Sequence, residues 1–309
     1  MTGPTTTGPA AGAAPSGPGA PWPGTAGAPV ASGPVPAAEG REGASYLSPL
    51  PDTRPHLGHA MASEWTKLVS VRSTLWTLGS LAALVLGIGT VAALQTSDVD
   101  FQQVPFFTPA LFGLFIGQVS VIVLGVLTMS SEYGTGLVRT TFTAAPDRHR
   151  VLTAKLLVFG LTAFVAVAGS VMLVGLLTAV LHSGPEAGHH GAREWIGALA
   201  GSAYVTLLGV LALAVGAMLR HSAGAIAVML GVVTVPPVLA GVLMVWESTY
   251  TLGNWIVRYN PPVALAELFG MPMGGEFGTS SQLGQIALLV AVTAAAVAGA
   301  YVVTGRRDV

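Results

Sequence analysis

A short interval between two long apolar runs carries a cluster of charged side chains that could bind a partner protein. The interval covers residues 130–155 and contains Arg139, Arg148, Arg150 and Lys155, four of the thirteen Lys and Arg residues in the chain. Glu132 and Arg139 could form ion pairs with charges on a protein that docks there. The alternative is a basic loop whose charges only set the side of a membrane on which it lies. The spacing of the charges leaves both interpretations open.

The sequence offers little chemistry beyond such binding. The chain has no cysteine, which excludes thiolate nucleophiles and thiolate metal sites. The only lysines, Lys67 and Lys155, do not follow the GxxxxGK[ST] pattern that cradles nucleotide phosphates. Three histidines and a glutamate at 182–190 could bind a metal weakly, but the glycines and proline between them favour a solvated loop. We therefore predict no enzyme activity, no catalytic or metal-binding residue and no cofactor.

The composition predicts a membrane protein. Of 309 residues, 52% are hydrophobic and only 9% are charged, against about 25% charged in a typical soluble protein. A soluble fold would have too few charged groups to cover its surface. The net charge of −1 argues against a nucleic-acid partner.

Six apolar runs are long enough to cross a bilayer, since about 20 helical residues span the hydrocarbon core of about 30 Å. The predicted spans are Leu75–Leu94, Pro109–Met129, Leu152–Leu181, Trp195–Leu219, Ala223–Trp246 and Leu283–Thr304. None has Asp, Glu, Lys or Arg in its middle, where proton-coupled transporters usually carry titratable groups. The fold class that follows is an all-α, polytopic membrane protein with six transmembrane helices.

The segments outside the spans have distinct compositions. Residues 1–58 hold 12 of the 21 prolines and 11 of the 40 glycines, which predicts a disordered tail before a membrane domain at 59–309. Residues 60–73 predict an amphipathic helix at the membrane interface, with Trp65, Lys67 and Arg72 suited to lipid headgroups; a plain polar lead-in is the alternative. The semi-apolar segment 247–282 predicts short helices that lie on the outer face or dip into it.

The basic residues near the spans predict the orientation, because positive loops stay in the cytoplasm. Two of them, Arg193 and Arg258, lie on one side. Nine lie on the other: Lys67, Arg72, Arg139, Arg148, Arg150, Lys155, Arg220, Arg306 and Arg307. We therefore expect both termini and the 130–155 loop to be cytoplasmic.

Several local patterns add detail to this outline. In the 130–155 loop, Thr135 could cap a short transverse helix over Gly136–Ala144, which Pro146 would end, and Asp147 stands where an N-cap of the third span belongs. Two GxxxG pairs, at 113–117 and 197–201, allow close helix contacts with another chain or within this one. Two adjacent prolines in the fifth span predict a kink or an unwound turn, and Gln118 and Gln285 could line a path or form hydrogen bonds between helices.

The run SEYGTGLVRTTFTAAPDRHRVLTAKLL resembles the loop between the second and third spans of ABC-2 type transporter permeases, especially the actinobacterial ones. The segment SEWTKLVSVRSTLWTL resembles the start of that family, and the likeness extends over about residues 60–305. The positions that match the loop pattern are Glu132, Tyr133, Gly136, Arg139, Thr140, Pro146, Arg150 and Lys155.

The resemblance implies a permease subunit of an ATP-binding-cassette exporter in the plasma membrane. In that family an interfacial helix precedes six spans, and re-entrant outer helices precede the sixth. The loop after the second span carries a coupling helix that docks on a separate cytoplasmic ATPase, which binds the ATP. The second permease of the dimer is another copy or a paralogue. A secondary transporter, a membrane enzyme and a non-transporting anchor or sensor are the alternatives.

Overall fold

Helices form all the regular structure in the described part of the chain. The computed structural model describes residues 56–96, 104–136, 147–183, 191–271 and 282–306. Within those ranges there are nine helices and no strand. They are α1 (Leu57–Ser70), α2 (Arg72–Gln95), α3 (Thr108–Thr135), α4 (Arg148–Leu181), α5 (Ala192–Leu219), α6 (Ser222–Leu243), α7 (Glu247–Arg258), α8 (Pro261–Leu268) and α9 (Gln282–Arg306). Of the predicted tail, 1–58, only residues 56–58 lie within the described ranges, and Leu57 and Gly58 already belong to α1.

Six helices, α2 to α6 and α9, are long and apolar enough to cross a membrane, with a mean hydropathy of 2.0 to 2.4. This confirms the six predicted spans, although α3 continues past Met129 to Thr135 and α6 ends at Leu243. Helix α6 also runs through Pro236 and Pro237 as one helix, so of the two predicted outcomes the unwound turn was wrong, and the kink stays a prediction. Proline removes backbone donors from a helix, but its φ angle is compatible with helical geometry.

Helices α3 and α5 form the centre of the bundle. In their most apolar stretches 61% and 67% of residues are buried, against 17% in α6 and α9. Helix α3 packs between α2 and α5, while α4 and α9 pack on other faces of α5. At Gly125 the backbones of α3 and α5 meet so closely that a Cβ would overlap the carbonyl oxygen of Gly209.

Both GxxxG pairs are used within this chain. A Cβ on the first glycine of the 113–117 pair in α3 would lie 2.7 Å from Cα of Val85 in α2. A Cβ on the first glycine of the 197–201 pair in α5 would lie 2.6 Å from the carbonyl oxygen of Leu268 in α8. Glycine is needed at these positions because another helix of the same molecule occupies the space. The two pairs therefore give no support for a second chain.

The outer surface of the bundle is apolar. Trp76 in α2 is 79% exposed, Val238 in α6 is 68% exposed and Leu283 in α9 is 78% exposed. A soluble protein rarely presents so much continuous apolar surface to water. Lipid is the solvent that suits these apolar helix faces. A helix also suits lipid because its backbone groups are paired within the helix.

The helices alternate in direction, which gives the bundle two different ends. At the basic end, where α3, α5 and α9 finish, the guanidinium of Arg220 lies 4.8 Å from the ring centre of Tyr133, and Arg148 donates a hydrogen bond to the carbonyl oxygen of Thr304. At the aromatic end, where these helices begin, the ring of Phe107 lies 4.9 Å from that of Trp195. The charge count of the sequence predicted this separation of basic groups.

The segment between α6 and α9 contains the two short helices that its composition predicted. Helix α7 packs against α6, and α8 packs against α5 and α9. The side-chain amide of Gln285 in α9 donates to the carbonyl oxygen of Arg258 at the end of α7, with an N–O distance of 2.7 Å. Gln285 thus forms the contact between helical segments that was expected of it, whereas the amide of Gln118 bonds to Phe115 in its own helix. How α7 and α8 lie relative to a membrane face stays a prediction.

Candidate functional site

Helix α1 covers most of the segment that was predicted to lie at the membrane interface. The helix ends before Val71, whose extended backbone separates it from α2. Glu64 and Leu68, one turn apart, are its buried residues, while Trp65 is 52% exposed. Arg72 belongs to α2, so the amphipathic helix predicted over residues 60–73 is divided between α1 and α2. The buried face of α1 therefore presents a carboxylate to its neighbours.

That carboxylate belongs to a closed ring of four charges, formed by Glu64, Lys67, Glu132 and Lys155. The Lys155 ammonium lies 2.5 Å from Oε2 of Glu64 and 2.8 Å from Oε1 of Glu132. The Lys67 ammonium lies 2.7 Å from Oε1 of Glu64 and 3.1 Å from Oε1 of Glu132. Each carboxylate contacts both ammonium groups, and the formal charges sum to zero. The ring joins α1 to the end of α3 and the beginning of α4.

The burial of the ring makes its pairing important. Lys155 is 3% exposed, Glu64 5% and Glu132 7%, whereas the side chain of Lys67 is 34% exposed. A buried charge that loses its partner costs far more free energy than an exposed one, because water no longer solvates it. Three helices must therefore keep their relative positions for the ring to stay closed. The ring holds α1, α3 and α4 together as one unit.

The pairing also keeps Lys67 charged. Partial burial alone would lower the pKa of the Lys67 ammonium, since it disfavours the charged form. The hydrogen bond to Glu64 and the negative charge of Glu132 outweigh that effect, so the pKa of Lys67 lies above its ordinary value. At neutral pH Lys67 therefore contributes a full positive charge to the ring.

A cavity of about 230 Å³ lies beside the ring. Its walls come from α1, the first turn of α2, and the facing sides of α3 and α4. Glu64, Lys67, Glu132 and Lys155 all line it, together with hydroxyl groups such as those of Thr128 and Ser131. The cavity therefore lies next to Val71, where the chain passes from α1 to α2.

The remaining predicted residues at the end of α3 have local structural roles. Tyr133 lies under the Arg220 guanidinium, which connects α3 to the turn between α5 and α6. Gly136 ends α3 with a φ angle of 73°, a left-handed conformation that favours glycine. The Thr135 hydroxyl donates to the carbonyl oxygen of Ser131, one turn earlier in the same helix. Thr135 is the last residue of α3, so it is not the N-cap that was predicted; apart from Gly136, the short helix predicted to follow it lies outside the described residues.

The beginning of α4 agrees with the sequence. Asp147 is the N-cap, and its carboxylate accepts a hydrogen bond from the backbone N–H of Arg150 at 3.1 Å. The Arg150 guanidinium also pairs with Asp147 at 3.1 Å, but both side chains are partly exposed. This confirms the predicted cap. Of the other predicted loop residues, Arg139, Thr140 and Pro146 lie outside the described residues.

The structure gives Glu132 and Lys155 a role different from the one expected. Glu132 was expected to pair with a docked protein, but its carboxylate is buried and already paired with two lysines of its own chain. Composition alone did not indicate that Glu64 would join the site. The signal for Glu64 is its spacing from Lys67, since Glu and Lys three residues apart lie on one helix face. Its partners in α3 and α4 follow only from the tertiary fold.

No protein-family model matches the sequence, and no curated protein matches it either. The features that bear on function are therefore those of the chain itself. They are the six helices of membrane-spanning length, the ring of charges at the basic end, and the basic loop that joins α3 to α4.

Proposed function

We propose that this chain is the permease subunit of an ATP-binding-cassette exporter, coupled to a separate cytoplasmic ATPase by the loop between α3 and α4. The likeness of residues 130–155 to the coupling loop of ABC-2 permeases supports this assignment. The single observation that carries it is the ring of charges, because the ring connects α1, α3 and α4 close to the point where the loop leaves the bundle.

The ring suits the transmission of force from such a loop. Glu132 lies one turn before the end of α3, and from Asp147 to Lys155 helix α4 rises about 12 Å. A push on the loop reaches α3 and α4 together, and the buried ion pairs resist their separation. Helix α1 moves with them through Glu64 and Lys67. In this proposal α1 is the interfacial helix. Trp65 in α1 and Arg72 at the beginning of α2 lie at the lipid headgroups.

The energy for transport comes from the partner in this proposal. The chain lacks the phosphate-binding lysine motif, so ATP is bound and hydrolysed by the ATPase. The carboxylates of the ring are each engaged with two ammonium groups, which does not favour proton-coupled secondary transport. A second permease, a copy of this chain or a paralogue, completes the substrate path, and the permease itself performs no catalysis.

Co-purification tests the proposed partnership. The full chain is co-expressed with each ATP-binding-cassette protein of the same genome and purified through a tag on the permease. We expect one cassette protein to co-purify in equal amounts, and Arg139→Glu to reduce its recovery at least fivefold, while Arg193→Glu, at the aromatic end, leaves it unchanged. If no cassette protein co-purifies, or if Arg139→Glu recovers as much as wild type, the proposed coupling is wrong.

Cysteine labelling tests the orientation, since the native chain has no cysteine. Gly134 and Gly191 are exposed glycines at opposite ends of the bundle, and a Cβ at either position meets no other atom. In intact cells a membrane-impermeant maleimide should label Gly191→Cys and label Gly134→Cys only after the cells are opened. Labelling of Gly134→Cys in intact cells would place the loop outside and contradict the proposal.

A further inference from the structure

A second buried polar site lies in the half of the bundle nearer the aromatic end. It is a cavity of about 180 Å³ bounded by α5, α6, α9 and the corner between α7 and α8. Its polar lining comes from Tyr204, Tyr259, Asn260 and Gln285, and the rest of its wall is apolar. None of the residues that line it carries a charge at neutral pH. The cavity shares no residue with the ring of charges.

Asn260 is the unusual member of this lining. It is 1% exposed, and neither its Oδ1 nor its Nδ2 has a hydrogen-bond partner among the residues that the structure describes. Buried amides are almost always paired, because an unpaired one has lost its bonds to water without replacement. Asn260 lines the cavity, but both amide atoms are closed off from it in this conformation, so a molecule inside the cavity can pair with them only after the side chain rotates.

Asn260 does not act as a helix cap, although the third residue of α8, Val263, offers a backbone N–H. Asn260 occupies the N-cap position of α8, where asparagine normally accepts a hydrogen bond from the first turn. Pro261 and Pro262 are the first two residues of α8, and proline has no backbone N–H. The side chain of Asn260 makes no capping bond. Its amide is therefore free of the structural role that this position usually has.

An apolar groove on the outside of the bundle adjoins the cavity. Val232, Pro236 and Ile256 line both the cavity and the groove, which runs between α6 and α7. The other groove residues, Val228, Gly231, Val235 and Leu239, lie on α6. From Val228 to Leu239 the helix rises about 16 Å, which is enough to accommodate an extended hydrocarbon chain of medium length.

We infer that this cavity and groove bind a single-chain amphiphile with a neutral head group. The head, an amide or a hydroxyl, enters the cavity and exchanges hydrogen bonds with the Asn260 side chain, and the hydrocarbon chain lies in the groove of α6. A cavity of 180 Å³ has room for such a head, since an engineered apolar cavity of about 150 Å³ in another protein binds benzene. A charged head is disfavoured because no group of opposite charge lines the cavity. The inference does not rest on the proposed transport function.

Photolabelling of the full chain in phosphatidylcholine nanodiscs tests this site. The probe is dodecanamide with a diazirine near the end of its chain, compared with the corresponding dodecane and dodecanoate. Mass spectrometry measures the label in residues 228–239, relative to the label in residues 161–176 of α4, a lipid-facing stretch in which Leu161 is 64% exposed. We expect the amide to label 228–239 at least about fivefold more than the hydrocarbon or the carboxylate, the gain from about one hydrogen bond.

Two variants assign the effect to Asn260. Asn260→Leu should reduce labelling by the amide to the level of the hydrocarbon, whereas Asn254→Leu, the same change outside the cavity lining, should leave it unchanged. Equal labelling by amide and hydrocarbon in wild type would mean that the cavity holds only water, and would overturn the inference without any variant. Full labelling of Asn260→Leu would overturn it as well.

Discussion

The ring of charges and the Asn260 cavity are both buried polar sites, but their polar groups are in opposite states. In the ring, the four charged groups of Glu64, Lys67, Glu132 and Lys155 contact each other across three helices. In the cavity, the amide of Asn260 has no partner among the described residues. A site that completes its own pairs stabilises the fold, whereas one that leaves a buried group unpaired has capacity for a ligand. The two sites therefore have different uses, one mechanical and one for binding.

The largest expected effect comes from opening the ring. Lys155→Met leaves two buried carboxylates that share the single Lys67, and we expect the free energy of unfolding to fall by about 3–5 kcal/mol. Thermal unfolding of the purified chain measures the loss. Arg150→Met is the matched control in the same helix, and its partly exposed pair should cost less than about 1 kcal/mol. Equal losses in the two variants would contradict the comparison.

A second substitution, Glu132→Gln, should restore part of the stability that Lys155→Met removes. Lys155→Met combined with Glu132→Gln leaves the Glu64–Lys67 pair, whose charges cancel. We expect the double variant to recover about 1–3 kcal/mol relative to the sum of the single changes, because the two groups interact directly. Additive losses in a double-mutant cycle would show that the four groups do not act as a ring.

For a substitution at Asn260 we expect no loss of stability. Asn260→Leu removes a buried amide that has no described partner, so the free energy of unfolding in ligand-free nanodiscs should stay constant or rise by about 1 kcal/mol. Asn254→Leu, in α7, serves as the control for a change of the same type. A loss as large as that of Lys155→Met would show that Asn260 is structural and would remove the difference between the two sites.

Of the two lysines in the ring, Lys67 is expected to give the smaller loss. Its side chain is 34% exposed, against 3% for Lys155, so water can replace part of its contribution. Lys67→Met leaves the same two carboxylates with the more buried lysine, so it should lower the free energy of unfolding by about 1–2 kcal/mol, less than Lys155→Met. Thermal unfolding of the two variants shows which of the two lysines contributes more to stability. If Lys67→Met costs as much as Lys155→Met, burial is not what distinguishes the members of the ring.

The features that the sequence predicted best depend on local or additive properties. Six apolar runs, the cap at Asp147 and the separation of basic residues onto one end follow from composition and from short patterns. The sequence offered Glu132 as a group that could pair with a docked protein, and the fold pairs it with two lysines of its own chain instead. Nothing near Glu132 in sequence shows that Lys67, far earlier in the chain, comes within hydrogen-bond distance of it.

The GxxxG glycines and the Asn260 amide show the same difference between what the sequence indicates and what the fold adds. The GxxxG pairs indicated close helix packing, but only the fold showed that the facing helices are α2 and α8 of the same chain. The sequence predicted short helices at 247–282 without indicating that Asn260 lines a cavity there.

By itself the sequence determined the solvent and the number of helices long enough to cross a membrane. Hydrophobicity adds up along a segment, and a helix satisfies its own backbone hydrogen bonds. Tertiary structure alone decided which buried polar groups meet, as the energy of a buried charge or amide depends on atoms within a few ångströms that belong to distant parts of the chain.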